Sequence, residues 1–321
     1  MEINALIAPL IRLMRPGDWV KNVFVLPALI FSLPALLAEE RPIAPLALNT
    51  ALAFIAFCLL ASGAYAINDV VDASKDRRHP VKRRRPVASG VIPPAQAVII
   101  GAILIVAALL IASTVGRLLI ATLLCYAALQ ACYNLGIKRV MLVDVVALAT
   151  GFALRATAGA VAIRVQISIW LLLCVFFLCL YLGFIKRLCD LCSAAAAGDS
   201  EWKSPAGYDD RIELNWLLGV SAVLAIVTYL MYALSEHAWD LFGSRSIGFA
   251  LLSPVVMITI HRFYRRASRG TSDSPLAALI EDRVVLICVL LFAAGVLASL
   301  YVPYVQDVFD RVFVAGVGSP S

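Results

Sequence analysis

A chain of 321 residues that is 62% hydrophobic, only 15% charged and has a mean hydropathy of +0.91 holds more apolar side chain than one soluble domain buries. That composition excludes a soluble globular protein and an intrinsically disordered one. The formal net charge of +6 is scattered over separate polar segments with no interleaved aromatic pattern, which argues against a nucleic-acid binder.

The sequence predicts an all-α, polytopic membrane protein. Apolar runs fall at residues 23–37, 46–67, 95–115, 117–136, 143–163, 167–185, 214–235, 247–260 and 284–305, which makes about nine transmembrane helices in one domain over residues 1–321. Pro27 and Pro34 interrupt the first span and Pro254 the eighth. Pro16 and Asp18 break up the N-terminus, so it does not read as a cleavable signal. Lys and Arg sort by side. The N-terminal segment and the even-numbered loops collect Arg12, Arg15, Lys21, the run over residues 75–85, Lys138, Arg139, Lys186, Arg187, Lys203, Arg211 and the arginines of residues 262–283. The other side holds Arg41, Arg117, Arg164, Arg245 and Arg311. By the positive-inside rule the N-terminus is expected in the cytoplasm and the C-terminus outside, as in a bacterial-type inner membrane.

Before the first span, Trp19 reads as an aromatic-belt anchor. Lys21 and Asn22 open that span, where free backbone N–H groups favour anions. Lys21 fits either a positive-inside charge or a phosphate ligand.

The second span runs into the polar stretch of residues 68–86. At about 100° per residue, Asn68, Asp69, Asp72 and Asp76 share one helix face. Carboxylates at a helix C-terminus oppose the macrodipole, so a hard cation is expected there. Mg²⁺ suits a few carboxylate and amide oxygens completed by water and phosphate; Mn²⁺ is the alternative. The expected ligands are Asn68, Asp72 and Asp76, and the basic run with Lys82, Arg83 and Arg85 supplies cations for phosphate oxygens.

Tyr133 ends the fourth span and Lys138 lies in the short turn after it. Asp144 opens the fifth, with Arg155 about 16 Å further along the helix axis and out of pairing range. An arginine at that depth must face a bundle interior or a wet cavity, and Arg155 is expected to line a substrate cavity. After the sixth span, Lys186 and Asp190 form an i, i+4 pair beside Arg187. The polar segments near residues 68–94 and 186–213 are the expected active-site loops. The basic segment of residues 262–283 suits membrane lipid headgroups. Among the histidines only His79 is near this chemistry. The eight cysteines read as packing residues, including the isolated Cys189-x-x-Cys192.

The order of these features resembles the UbiA superfamily of intramembrane transferases. The likeness rests on Asn68-Asp69-x-x-Asp72-x-x-x-Asp76 after the second span and an acidic segment after the sixth. Finer detail is similar to the decaprenyl-phosphate phosphoribosyltransferase branch: Arg15-Pro16-x-x-Trp19-Val20-Lys21-Asn22, Asp76-Arg77-x-His79-Pro80-x-Lys82-Arg83-x-Arg85-Pro86, Tyr133, Lys138, Asp144 and Arg155 in series, and Lys186-Arg187-x-x-Asp190. The resemblance implies a helical bundle whose cytoplasmic mouth binds a Mg²⁺-diphosphate, with a lipid-open groove for a polyprenyl chain. It adds Tyr133, Lys138, Asp144, Arg187 and Asp190 to the substrate-binding set. It implies Mg²⁺-dependent transfer of 5-phosphoribose from phosphoribosyl pyrophosphate to a polyprenyl phosphate, with Asp72 and Asp76 as the catalytic pair. Most prenyl-transferring members carry two spaced aspartates in the second loop; here Lys186 replaces the first. Two rivals fit parts of the pattern: a prenyltransferase using a prenyl diphosphate, and a transporter, against which the clustering of charge at one membrane face argues.

Overall fold

Prolines and capping side chains set many helix starts. The computed structural model describes residues 2–78, 81–196, 204, 206–270 and 281–314, and among these every regular element is a helix. In chain order they are α1 (Glu2–Met14), α2 (Pro27–Ala38), α3 (Ile43–Val71), α4 (Ala73–Asp76), α5 (Pro94–Val115), α6 (Arg117–Leu135), α7 (Val143–Ile163), α8 (Ile169–Ala196), α9 (Arg211–Ala233), α10 (Glu236–Phe242), α11 (Arg245–Leu251), α12 (Ser253–Ser268), α13 (Arg283–Tyr301) and α14 (Pro303–Phe309). A 3₁₀ helix, Pro16–Val25, joins α1 to α2. Asp210 caps α9 by accepting from the Ile212 amide at 2.7 Å, and Asp282 caps α13 by accepting from the Val284 and Val285 amides.

Among the described residues nine stretches are long and apolar enough to cross a membrane, the count expected from the sequence. Their boundaries differ in instructive ways. The first reaches back to Ala8, because α1 and the 3₁₀ helix precede α2. The eighth is α11 and α12 joined at Leu252, with Pro254 in the first turn of α12. The ninth stops at Tyr301 and not near residue 305, since Val302 is extended ahead of Pro303. The sixth runs on to the end of α8, so Lys186, Arg187 and Asp190 stand on a helix. His79, Pro80 and Lys203 lie outside the described residues.

The chain divides into two compact units. One comprises Met1–Ile30, Pro42–Lys138 and Leu154–Gln166. In it α3 packs along α5, and glycines permit the approach: a methyl on Gly63 would lie 2.7 Å from the Gly101 carbonyl oxygen. Gly159 likewise admits the Val25 carbonyl. The core holds Phe57, Leu60, Leu123 and Tyr126, with the Phe57 and Tyr126 rings edge to face at 5.3 Å. A smaller cluster of Leu13, Ala66, Ala73, Val87, Ile92 and Ala97 packs around the acidic end of α3 and fixes its direction.

The other unit comprises Phe31–Arg41, Arg139–Ala153 and Ile167–Ser321. Here α8 packs along α9. Tyr232, Phe242, Phe249, Val296 and Leu300 form its core, with the Phe242 and Phe249 rings edge to face at 5.2 Å.

Candidate active site

The acidic face forms where α3 gives out. Asp72 closes α3, its amide bonded to the Asn68 carbonyl at 2.9 Å, and the Asp76 amide bonds to the Asp72 carbonyl at 2.8 Å. The i, i+4 spacing therefore persists across the break between α3 and α4. Each carboxylate meets a cation. Asp72 takes both oxygens to Lys138 Nζ, at 2.8 and 3.0 Å. Asp76 accepts from Arg85 Nη1 at 2.7 Å, and the same nitrogen is 3.3 Å from Asp69 Oδ1. Arg15 is the second partner of Asp69. Asp69 and Asp76 are buried, at 1% and 3% exposure, so these ions must be paired.

Backbone conformation brings Arg15 there. It sits in the left-handed region (φ 51°) before Pro16, an uncommon state for a non-glycine residue. The turn is held from both sides, because Ser62 Oγ donates to the Met14 carbonyl at 2.8 Å and accepts from Trp19 Nε1 at 3.0 Å. The Arg15 guanidinium also lies over the Tyr65 ring. Trp19, expected as a belt anchor, thus helps to fix the entry of Arg15.

Two buried oxygens of this cluster, Asn68 Oδ1 and Asp69 Oδ2, have no hydrogen-bond partner. Orphaned acceptors beside carboxylates suit a hard cation. Among the described residues no three His, Cys, Asp or Glu side chains form a ready cage. A site of few protein ligands is what Mg²⁺ takes when phosphate and water fill its shell, so Asn68, Asp72 and Asp76 fit the expected ion. Lys82 and Arg83 are exposed beside the cluster. Although much of the Lys82 side chain is exposed, the part that is shielded from water, then the charge of Arg85, lowers its pKa against the pull of Asp76 and Asp72.

Deeper in the same unit lies Arg155, 4% exposed. Its Nε donates to Asn22 Oδ1 at 2.7 Å and its Nη2 to Tyr126 OH at 2.8 Å, with the guanidinium 4.7 Å from the Tyr126 ring centre. Asn22 Nδ2 in turn reaches Cys58 Sγ at 3.2 Å. Lys21 is exposed and bonds to Asp18 at 2.6 Å. Tyr133 is half-buried near the end of α6.

The second unit carries its own polar cluster. Asp144, at 0% exposure, receives Arg187 Nη2 at 2.7 Å, Tyr208 OH at 2.5 Å and the Val145 amide at 2.7 Å. Tyr208 OH also accepts from the Leu142 amide at 2.8 Å. Burial raises the Tyr208 pKa, and its hydrogen bond to Asp144 and the Asp144 charge raise it further. Lys186 is 3.2 Å from Asp190, and both are partly open to solvent.

Most of the sequence-predicted residues thus fall into three groups: Asn68, Asp72, Asp76, Arg85 and Lys138; Asn22 with Arg155; and Asp144, Lys186, Arg187 and Asp190. Sequence reasoning left Arg15, Asp69, Tyr126 and Tyr208 out of the site. A carboxylate on the Asn68 face was the signal available for Asp69; nothing in the sequence marks Tyr126.

Comparison with known proteins bears on this arrangement. Residues 24–279 match the UbiA prenyltransferase family. The chain belongs to that family. This UbiA member is 32% identical to the decaprenyl-phosphate phosphoribosyltransferase of Mycolicibacterium smegmatis over 92% of its own length and 93% of that protein. It is 30% identical to the Corynebacterium glutamicum protein of the same name, over 91% and 87%. Its fold is that of a UbiA homolog from Archaeoglobus fulgidus bound to GPP and Mg²⁺, with a TM-score of 0.63 and 20% identity over 92% of this chain and 100% of that one. The family assignment agrees with a multi-pass, all-helical membrane protein.

Proposed function

We propose that this UbiA-family protein transfers 5-phosphoribose from phosphoribosyl pyrophosphate to a polyprenyl phosphate, releasing pyrophosphate. The observation that carries this reading is full-length similarity to decaprenyl-phosphate phosphoribosyltransferases, joined to an acidic cluster ringed by cations. In the reaction an oxygen of the acceptor phosphate bonds to the anomeric carbon as the bond from that carbon to pyrophosphate breaks. The acceptor is already anionic at neutral pH, so no strong general base is needed, which fits a cluster of carboxylates, lysine and arginines.

Asn68, Asp72 and Asp76 would hold the divalent ion, whose charge neutralises the departing pyrophosphate. Lys138 and Arg85 presently neutralise Asp72 and Asp76. Once a cation takes those carboxylates, both side chains are released to phosphate oxygens. Arg155, Asn22, Lys21, Lys82, Arg83 and Tyr133 are assigned to substrate on the same charge and hydrogen-bonding grounds, as are Lys186 and Asp190, whereas the Arg187 and Asp144 expected there hold each other and are assigned to tying that cluster together. We place the protein in a bacterial-type inner membrane with a cytoplasmic N-terminus; cysteines at Ser89 and Ser113 should label from opposite sides.

The test is incubation of purified protein with labelled phosphoribosyl pyrophosphate and a panel of polyprenyl phosphates, with geranyl diphosphate in parallel. Label should pass to the lipid phosphate, stop with EDTA and return with Mg²⁺ or Mn²⁺. Turnover of geranyl diphosphate alone would give the protein to the prenyl-transferring side of its family, and full activity in chelator would remove the metal.

A further inference from the structure

A groove of about 280 Å³ opens between α9 and α12 in the second unit. That is just under the range of about 300–1,000 Å³ typical of small-molecule pockets, room for part of one flexible chain. Sequence explains the gap: Gly219 and Ala222 stand one turn apart on α9 opposite Met257 of α12. An added Cβ on Gly219 would meet nothing within 4 Å. Both helices are membrane-spanning by length and hydropathy, and Met257 is 57% exposed, so hydrocarbon surrounds this surface.

One end of the groove is polar. Asn215, His261 and Tyr264 line it there, and the buried Asn215 Oδ1 has no hydrogen-bond partner. Arg211 lies one turn before Asn215 and bridges to the Ser268 carbonyl of α12 at 3.2 Å, across the mouth. Arg265 is exposed one turn beyond His261 on the same side of α12. An apolar slot, then neutral polar groups, then two guanidinium groups matches the order of acyl chain, glycerol esters and phosphate in a lipid. We propose that this groove is a binding site for one anionic phospholipid, its acyl chain against Gly219 and Ala222 and its phosphate at Arg211 and Arg265. The Asn215 amide can turn to offer its N–H to an ester carbonyl, and the arginines favour an anionic over a zwitterionic headgroup. The site shares no residue with the clusters assigned to transfer and does not depend on that assignment.

Native mass spectrometry of the full-length protein, released from nanodiscs of mixed phosphatidylglycerol and phosphatidylcholine, tests it. Wild type should retain one more phosphatidylglycerol than Gly219→Leu, which fills open space on a helix. Arg211→Ala and Arg265→Ala should each weaken retention roughly fivefold, the scale of one cation at an anionic surface, with Gly219 intact. Circular dichroism and thermal unfolding confirm that each variant is folded. Equal phosphatidylglycerol counts in wild type and all three folded variants would overturn the proposal. So would equal retention of phosphatidylcholine, or loss of added polyprenyl phosphate in place of phosphatidylglycerol from Gly219→Leu.

Discussion

The polar clusters of the two units use the same residue types to opposite ends. Around Asp69, Asp72 and Asp76, three cations neutralise three carboxylates, yet Asn68 Oδ1 and Asp69 Oδ2 remain buried acceptors without a donor. Around Asp144 both carboxylate oxygens are taken, one by Arg187 and the other by Tyr208 and a backbone amide. A buried ion that is fully satisfied ties helices together; one whose neighbours lack donors leaves room for a ligand. Acidity alone therefore does not distinguish structure from chemistry. The state of each oxygen does.

The comparison breaks most sharply by removing one carboxylate from each cluster. Asp144→Ala leaves Arg187 beside a buried void and should destabilise the protein by about 3–5 kcal/mol, read as a large fall in the thermal midpoint in detergent. Asp72→Ala or Asp76→Ala should keep the fold, because Ala66 of α3 and Ala73 of α4 remain packed in the apolar cluster with Leu13, Val87, Ile92 and Ala97. Turnover of those two should fall roughly 10²–10³-fold, the scale of losing one preorganised charge contact. If Asp144→Ala unfolds no more readily than Asp72→Ala, the division between the clusters is wrong.

How much of this was legible in advance depends on range. Spans read directly from hydropathy, because a helix is the way a single segment satisfies its backbone in lipid. Asp72 and Asp76 read from their i, i+4 spacing. The partners did not: Lys138 is 66 positions from Asp72, Arg15 is 54 from Asp69, and Arg155 is 133 from Asn22. Such pairs depend on tertiary packing and, for Arg15, on a left-handed residue that no propensity favours. The end of α8 was missed for another reason. Hydropathy falls at Lys186, yet Leu188 and Cys189 stay buried on the helix, so the polarity change marks the end of the apolar run and not the end of the helix.

A smaller effect is expected at Lys186, a cation four positions before Asp190 on α8. Its side chain is 51% exposed and held only loosely by Asp190, so its removal should leave the fold intact. One charge-assisted contact to a donor phosphate is worth about 1.5–3 kcal/mol. Lys186→Ala should raise the KM for phosphoribosyl pyrophosphate or lower kcat/KM by roughly ten- to a hundredfold, and Lys186→Asp should do more harm through repulsion. Steady-state kinetics of the three proteins decide it; an Asp variant as active as the Ala variant would remove the charge argument.

The mildest change, Tyr208→Phe, tests whether the Asp144 cluster is a structural tie. The phenol donates to Asp144 and accepts from the Leu142 amide, so its loss costs about 1.5 kcal/mol of stability, the lower bound for a hydrogen bond to a charged group. Because burial and Asp144 raise the Tyr208 pKa in the folded state, the folded protein keeps a proton that the unfolded chain gives up. The tie is then fully present below the unfolded tyrosine pKa of about 10 and is lost as pH rises from there through the folded value. Thermal midpoints of wild type and Tyr208→Phe should differ by a constant amount from neutral pH to about pH 10 and converge above it. A difference that persists unchanged in strong alkali would mean that the phenol acts by packing alone, against Phe184 and Arg187.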